Sequence, residues 1–294
     1  MDNSCFGFIG LGTMGLPMAV NLHNKSGHTV LGFNRSAPAR ERFEAAGGRA
    51  AQSVEEIYAA CSVIFLCLPT NDAVSAQVKG IINGCPAGTT VVDMGSTAPN
   101  IIRALAREAA GKGIYVLDCP VSGGLSGAQA GTLSIMCGGD EAAFGRIEEY
   151  LHAMGSSVVY MGGCGCGSTA KLANNMMVGA HLSAMAESYA FAVKAGIDPH
   201  RLFDAIHGGF AQSAVMDAKV PKLLDRDFSA TARIEIHMKD IKNALTLADA
   251  LGVELPLTEL VCSQMQYLAD KGLASEDQCT MVKVYEDAMG VTVE

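Results

Sequence analysis

Short apolar, β-branched runs alternate with segments of helical apolar spacing through the first half of the chain. This is the pattern of strand–helix–strand units laid on a parallel sheet. Residues 6–9, 29–33, 63–68, 90–94, 115–118, 133–137 and 158–161 read as strands, and residues 14–23, 38–46, 73–78, 101–111 and 141–154 as the helices between them. The run Gly162-Gly163-Cys164-Gly165-Cys166-Gly167 ends the alternation, and no strand is predicted beyond it. From 168 to 195 apolar residues recur at helical spacing, long enough for a spine helix between two domains. Further helices are predicted at 201–206, 214–223, 236–251, 257–271 and 277–288. The expected fold is α/β, a doubly wound parallel sheet over residues 1–163 followed by an all-helical second domain over 164–294.

Composition narrows the function classes. Hydrophobic residues make up 49% and charged residues 17%, which fits a packed globule and excludes a disordered chain. The formal charge of −9 and the absence of tryptophan argue against a nucleic-acid or anionic-membrane surface, leaving a small molecule as the expected partner. No secretory leader pattern and no long uninterrupted apolar stretch is present. Ten cysteines are scattered without the pairing of a stapled fold, so a reducing cytoplasm is expected. Cys164-Gly165-Cys166 lacks a second Cys/His pair nearby, and no metal site is expected.

Gly10-Leu11-Gly12-Thr13-Met14-Gly15 directly follows the first strand and opens a helix, the context a dinucleotide fingerprint requires. The first glycine permits the turn, the second lets a pyrophosphate approach the backbone, and the third lets helix and strand pack. The second strand ends in Phe33-Asn34-Arg35-Ser36, with no carboxylate to hold a ribose 2′-hydroxyl. Arg35, flanked by Asn34 and Ser36, can instead pair with a 2′-phosphate, so NADP is favoured. The alternative is an exposed arginine, with NAD bound less selectively. Leu68-Pro69 and Ser96-Thr97 close the next two strands at the same edge and are expected cofactor neighbours.

Ser168 reads as the N-cap of the long helix, which places Lys171 in its first turn. The positive end of the helix dipole disfavours a cation there and should depress its pKa. Asn175 lies four residues on, on the same face. Read alone, Lys171 is an ordinary solvated lysine. The loop Asp118-Cys119-Pro120-Val121-Ser122-Gly123-Gly124 offers a hydroxyl and open backbone N–H groups suited to a carboxylate, or it is an ordinary loop.

Together these segments, with Gly167 through Lys171 to Asn175 and Lys239-Asp240, resemble the β-hydroxyacid dehydrogenase (3-hydroxyisobutyrate dehydrogenase-like) family across essentially the whole chain. Ala214 to Lys219 and Arg233 to Asp240 look most like its tartronate semialdehyde (2-hydroxy-3-oxopropionate) reductase branch. The resemblance implies Rossmann-like binding of NADPH, with NAD possible, by Gly10, Leu11, Gly12, Thr13, Met14, Gly15, Asn34, Arg35, Ser36, Leu68, Pro69 and Thr97. It further implies reversible oxidation of a 3-hydroxy acid, with Lys171 as general acid/base and Asn175 orienting it or the substrate. Ser122, Gly123 and Gly124 would hold the carboxylate. Lys239 would approach the nicotinamide, with Asp240 anchoring its helix. The expected substrate is a small carboxylate-bearing aldehyde or hydroxy acid. Glyoxylate, succinic semialdehyde and 3-hydroxyisobutyrate stand as alternatives, as does an NADP-binding scaffold without turnover. Imine-reducing relatives usually replace the lysine. Two positions depart from the family: Cys119 replaces an alanine, and Ala232 stands where many relatives carry phenylalanine, which widens the expected cavity. The length of the apolar helix predicts a homodimer or homotetramer. His181 and His237 show no partner pattern and are assigned to structure.

Overall fold

The computed structural model describes residues 5–294 and divides into two compact units, one ending at Lys171 and one running from Leu172 to Glu294. In the first unit the described strands are β1 (Cys5–Ile9), β2 (Thr29–Phe33), β3 (Arg49–Ala50), β4 (Val63–Leu66), β5 (Thr90–Asp93), β6 (Tyr115–Asp118), β7 (Val121–Ser122), β8 (Leu133–Gly138) and β9 (Gly155–Gly162). They form one sheet in the order β3-β2-β1-β4-β5-β6-β8-β7, with β9 against β8. β1 pairs in parallel with both β2 and β4, so the winding reverses there. In sheets of this kind, ligands bind outside the carboxyl ends of the strands at that reversal.

The central strands β1, β2 and β4 are mostly apolar because helices cover both faces. Phe8, Phe65 and Val92 join one core with Met18, Leu22 and Phe43, while Ile9, Ile64, Leu66 and Val91 join a second with Ile57, Val78 and Ile102. The parallel expectation fails at one edge, where β8 runs antiparallel to β6 and β7. The chain re-enters the sheet after residues 123–132. That is fewer than the dozen or so residues a parallel crossover needs, so it returns in the opposite sense.

The second unit packs helices Pro199–Ile206, Ala214–Leu224, Ile234–Leu251, Pro256–Asp270 and Val282–Met289 with most of the long helix Cys166–Lys194. Leu182, Tyr189, Met216, Val220, Ile241, Val261 and Met265 form its core. The expected helix at 277–288 is broken at its start: Asp277 accepts from Cys279 N and caps a short 3₁₀ turn, Gln278–Met281, before the α-helix begins. Asp277 is fully buried and gathers three segments. Lys219 Nζ donates to both its oxygens at 2.8 and 3.0 Å, and Thr231 N, Thr231 Oγ1 and Ala232 N donate to Oδ2.

No described helix is long and apolar enough to cross a membrane, and no described cluster of His, Cys, Asp and Glu could hold a metal ion. The ten cysteines are free thiols.

Candidate cofactor groove and catalytic helix

Gly10 adopts φ +105°, and a Cβ there would lie 2.2 Å from the Cys67 carbonyl oxygen. A Cβ on Gly15 would lie 1.8 Å from the Gly10 carbonyl oxygen. Both positions therefore hold the turn against β4's continuation and exclude any side chain. Gly12 differs, since a Cβ there would meet nothing within 4 Å. Its bare backbone faces a groove of about 790 Å³, lined by Leu11, Gly12, Thr13, Asn34, Ser36 and Arg42 together with Leu16, Asn21, Asn24, Leu125 and Gln129, among others. The helix that follows, Gly15–Ser26, has neither an acidic residue in its first turn nor a side-chain cap, so its opening N–H groups suit an anion. These features fit a dinucleotide.

The end of β2 is tied to this loop by two bonds: Gly10 N donates to the Phe33 carbonyl oxygen at 2.9 Å, and Leu11 N donates to Asn34 Oδ1 at 3.1 Å. Arg40 Nη1 donates to the carbonyls of Asn34 and Arg35 at 2.6 and 3.3 Å, holding the turn in shape. No described carboxylate lines the groove. Arg35 is exposed and outside the wall, whereas Arg42, unremarked in the sequence, is in it. Its only signal was its place on the helix that starts right after the turn. Leu68 is half-buried, Pro69 exposed and Thr97 buried; with Gly10, Met14 and Gly15 they lie outside the groove wall.

The long helix starts at Cys166, which corrects the reading of Ser168 as its cap. The capping group comes from a strand end distant in sequence. Asp118, fully buried at the end of β6, accepts from Gly165 N at 2.8 Å and from Ser168 N at 2.7 Å. A carboxylate at a helix N-terminus complements the dipole. Burial nonetheless pushes the Asp118 carboxyl above its ordinary value, with the two N–H bonds pulling against it. Lys171 consequently falls in the second turn, half-buried, where the dipole acts less on it than a first-turn position would imply. Asp118→Asn removes the charge and one acceptor from this cap. It should destabilise the first unit by about 1–3 kcal/mol, read from its urea midpoint.

Asn175 follows one turn after Lys171 and is buried in a polar hub of the second unit. Its Nδ2 donates to Asp240 Oδ2 at 2.7 Å, and its Oδ1 accepts from Asn174 Nδ2 at 2.9 Å. Asp240 Oδ1 pairs with Lys239 Nζ at 3.0 Å. His237 completes the hub: Gln278 Nε2 lies 2.9 Å from its Nδ1, and its Nε2 lies 2.9 Å from the Asn175 carbonyl oxygen. An amide N–H can only donate to Nδ1, so the proton sits on Nε2 and is donated to Asn175. The sequence brought no partner to His237 because its partners come from other helices. In the first unit Ser122 is half-buried, and exposed Gly123 and Gly124, at φ +133° and +64°, lead into a short helix, Gly124–Ala130, that the sequence pattern missed.

Comparison with known proteins places these features in context. Residues 5–163 match the family described as the NAD binding domain of 6-phosphogluconate dehydrogenase. Residues 165–285 match that described as NAD-binding of NADP-dependent 3-hydroxyisobutyrate dehydrogenase. The chain is 36% identical to 2-(hydroxymethyl)glutarate dehydrogenase of Eubacterium barkeri over 98% of its own length and 96% of that protein. It is 37% identical to 2-hydroxy-3-oxopropionate reductase of Escherichia coli (strain K12), over 95% and 96% respectively. It is also similar to the solved structure of Psf3 in complex with NADP+ and 2-OPP, with a TM-score of 0.86 and 27% identity, over 95% of this chain and 99% of that one.

Proposed function

The chain belongs to the 3-hydroxyisobutyrate dehydrogenase-like family of NAD(P)-dependent β-hydroxyacid dehydrogenases, and we propose that within it this protein reduces a short semialdehyde acid to its 3-hydroxy acid, with NADPH preferred. The observation that carries the reading is half-buried Lys171 one turn before Asn175, on a helix start fixed by Asp118. The bound nicotinamide cofactor supplies the hydride. Lys171 Nζ donates a proton to the carbonyl oxygen as that oxygen gains negative charge. Ser122 Oγ and the N–H groups of Gly123 and Gly124 hold the substrate carboxylate and fix the aldehyde carbon in position. Asn175, engaged through Asp240 and His237, keeps its turn of the helix in place, and Lys239 is held by its pairing with Asp240.

NADPH preference rests on a groove with Asn34, Ser36 and Arg42 in its wall and no carboxylate there. Psf3 was solved with NADP+, and the second matching family is described as NADP-dependent. Arg35→Ala combined with Arg42→Ala should raise KM for NADPH by tenfold or more, roughly what losing about 1.4 kcal/mol of phosphate pairing implies, and leave KM for NADH nearly unchanged. A wild-type enzyme that favours NADH would refute the assignment.

The substrate reading follows the 37% identity to 2-hydroxy-3-oxopropionate reductase. A second reading, a bulkier dicarboxylate of the 2-(hydroxymethyl)glutarate kind, follows the 36% identity to 2-(hydroxymethyl)glutarate dehydrogenase, and the small Ala232, where the family resemblance implies phenylalanine, agrees with it. Steady-state assays decide between them. Tartronate semialdehyde, succinic semialdehyde and glyoxylate are reduced with NADPH, and 2-(hydroxymethyl)glutarate is oxidised with NADP+. The first reading requires the highest kcat/KM on tartronate semialdehyde. Turnover of none of these substrates would refute both readings.

We further propose a homodimer or homotetramer, since Met177 and Phe191 on the long helix are 62% and 65% exposed in the single chain. Light scattering should give at least twice the chain mass of 30.6 kDa, and a monomer at micromolar concentration would refute it.

A further inference from the structure

We propose that Cys5 and Cys61 form a reversible redox modification site, a dithiol that a hydroperoxide converts to a disulfide stapling the first strand of the sheet to the segment entering β4. The two sulfurs already face each other across the sheet's amino edge, Sγ to Sγ at 3.5 Å. Cys5 opens β1, and Cys61 lies two residues before Val63, the partner of Phe6 in the parallel β1–β4 register. A disulfide needs its sulfurs at about 2.05 Å, so closure asks for a shift of about 1.5 Å. Side-chain rotation with small backbone adjustment at a strand end covers such a distance.

The two thiols are unequal, as a redox pair requires. Cys5 is half-buried and accessible, whereas Cys61 is 4% exposed. Hydrogen bonding from Cys61 lowers the Cys5 thiol to about 7 against the opposing effect of burial, with help from the Leu31 backbone and from the Arg49 charge. The same hydrogen bond and burial push Cys61 up. Cys5 is therefore the attacking thiolate and Cys61 the resolving thiol. Cys85 is the third sulfur in this region, and it is held toward the Tyr58 carbonyl oxygen at 3.7 Å.

The chemistry balances. The Cys5 thiolate attacks the terminal oxygen of the hydroperoxide, the O–O bond breaks, and the alcohol leaves with a proton; Cys5 is then a sulfenic acid. The Cys61 sulfur attacks the Cys5 sulfur, the S–S bond forms, the S–O bond breaks, and water leaves carrying the Cys61 proton. Two thiols are oxidised by two electrons and one peroxide bond is reduced. Because the bridge closes at the end of β1 opposite Gly10, it tightens the sheet rather than blocking the groove. The proposal does not depend on the substrate reading.

The test uses the native protein, reduced, desalted and treated with a slight excess of cumene hydroperoxide, then alkylated. The expected product is lighter by about 2 Da before alkylation, and its peptide map joins Cys5 to Cys61, with the other eight of the ten cysteines alkylated. Dithiothreitol should restore both thiols. The urea midpoint should rise on oxidation and return on reduction, because a bridge restricts the unfolded chain. Cys61→Ser should leave Cys5 as a sulfenic acid that dimedone traps. A Cys61–Cys85 bridge, sulfinate at Cys5 without a bridge, or ten alkylatable thiols after treatment would each overturn the site. A bridge that left the midpoint unmoved would overturn the staple.

Discussion

Lys171→Ala should lower kcat for semialdehyde reduction by about a hundred- to ten-thousand-fold, the usual contribution of a positioned proton donor. NADPH binding should stay as it was, because the groove wall runs through Leu11, Gly12, Asn34 and Arg42 and does not include Lys171. KM for the aldehyde should change little, since the proton is needed as charge builds on the oxygen and not while the substrate waits. Two measurements separate this from misfolding: a fluorescence titration with NADPH and a full kcat and KM determination. Lys171→Arg should not rescue the rate, because a guanidinium keeps its proton. A variant that kept wild-type turnover would remove Lys171 from the chemistry.

The largest stability effect is expected at Asp277. Asp277→Ala leaves Lys219 as a buried cation without its partner and strips Thr231 N, Ala232 N and Cys279 N of their acceptor. The expected loss is about 3–5 kcal/mol, read as a fall in the urea midpoint of the helical unit. Lys219→Met should cost less, since Asp277 would keep the Thr231, Ala232 and Cys279 donors. Equal losses would show that the ion pair, and not the backbone it organises, carries the stability. Burial would raise the Asp277 carboxyl, but the hydrogen bonds from Lys219 and Thr231 outweigh it and hold the group well below the ordinary carboxylate range. A depressed folded pKa means that this contribution is complete above the unfolded value, near pH 4, and is lost as pH falls from there toward the lowered folded value. The midpoint of Asp277→Ala should therefore vary less than that of the wild type in acid.

What the sequence made legible and what it hid divide along physical lines. β2 and β6 were readable to the residue because apolar runs covered on both faces stand out against polar helix surfaces. The glycine turn was readable because close backbone approach admits no other residue, as Gly10 and Gly15 show. Helix starts were less so. Ser168 has the right chemistry for a cap, yet Asp118, some fifty residues upstream, takes that place once β6 delivers it. Residues 141–154, read as one helix, form two, Glu141–Gly145 and Glu148–Leu151. Arg42 and the partners of His237 belong to the same hidden class: each contact depends on how elements pack, which local periodicity does not encode.

The bond from Leu11 N to Asn34 Oδ1 constrains how this protein could change its diet of electrons. Whatever occupies position 34 must present one oxygen to the glycine loop, and asparagine and aspartate do so equally. They differ only in the second atom, which donates in one and accepts with a negative charge in the other. Exchange of that nitrogen for oxygen would keep the loop in place, repel a 2′-phosphate and welcome a ribose diol. On the proposed preference for NADPH, a single codon change at Asn34 would thus bear on which reductant pool is used while keeping the acceptor for Leu11 N.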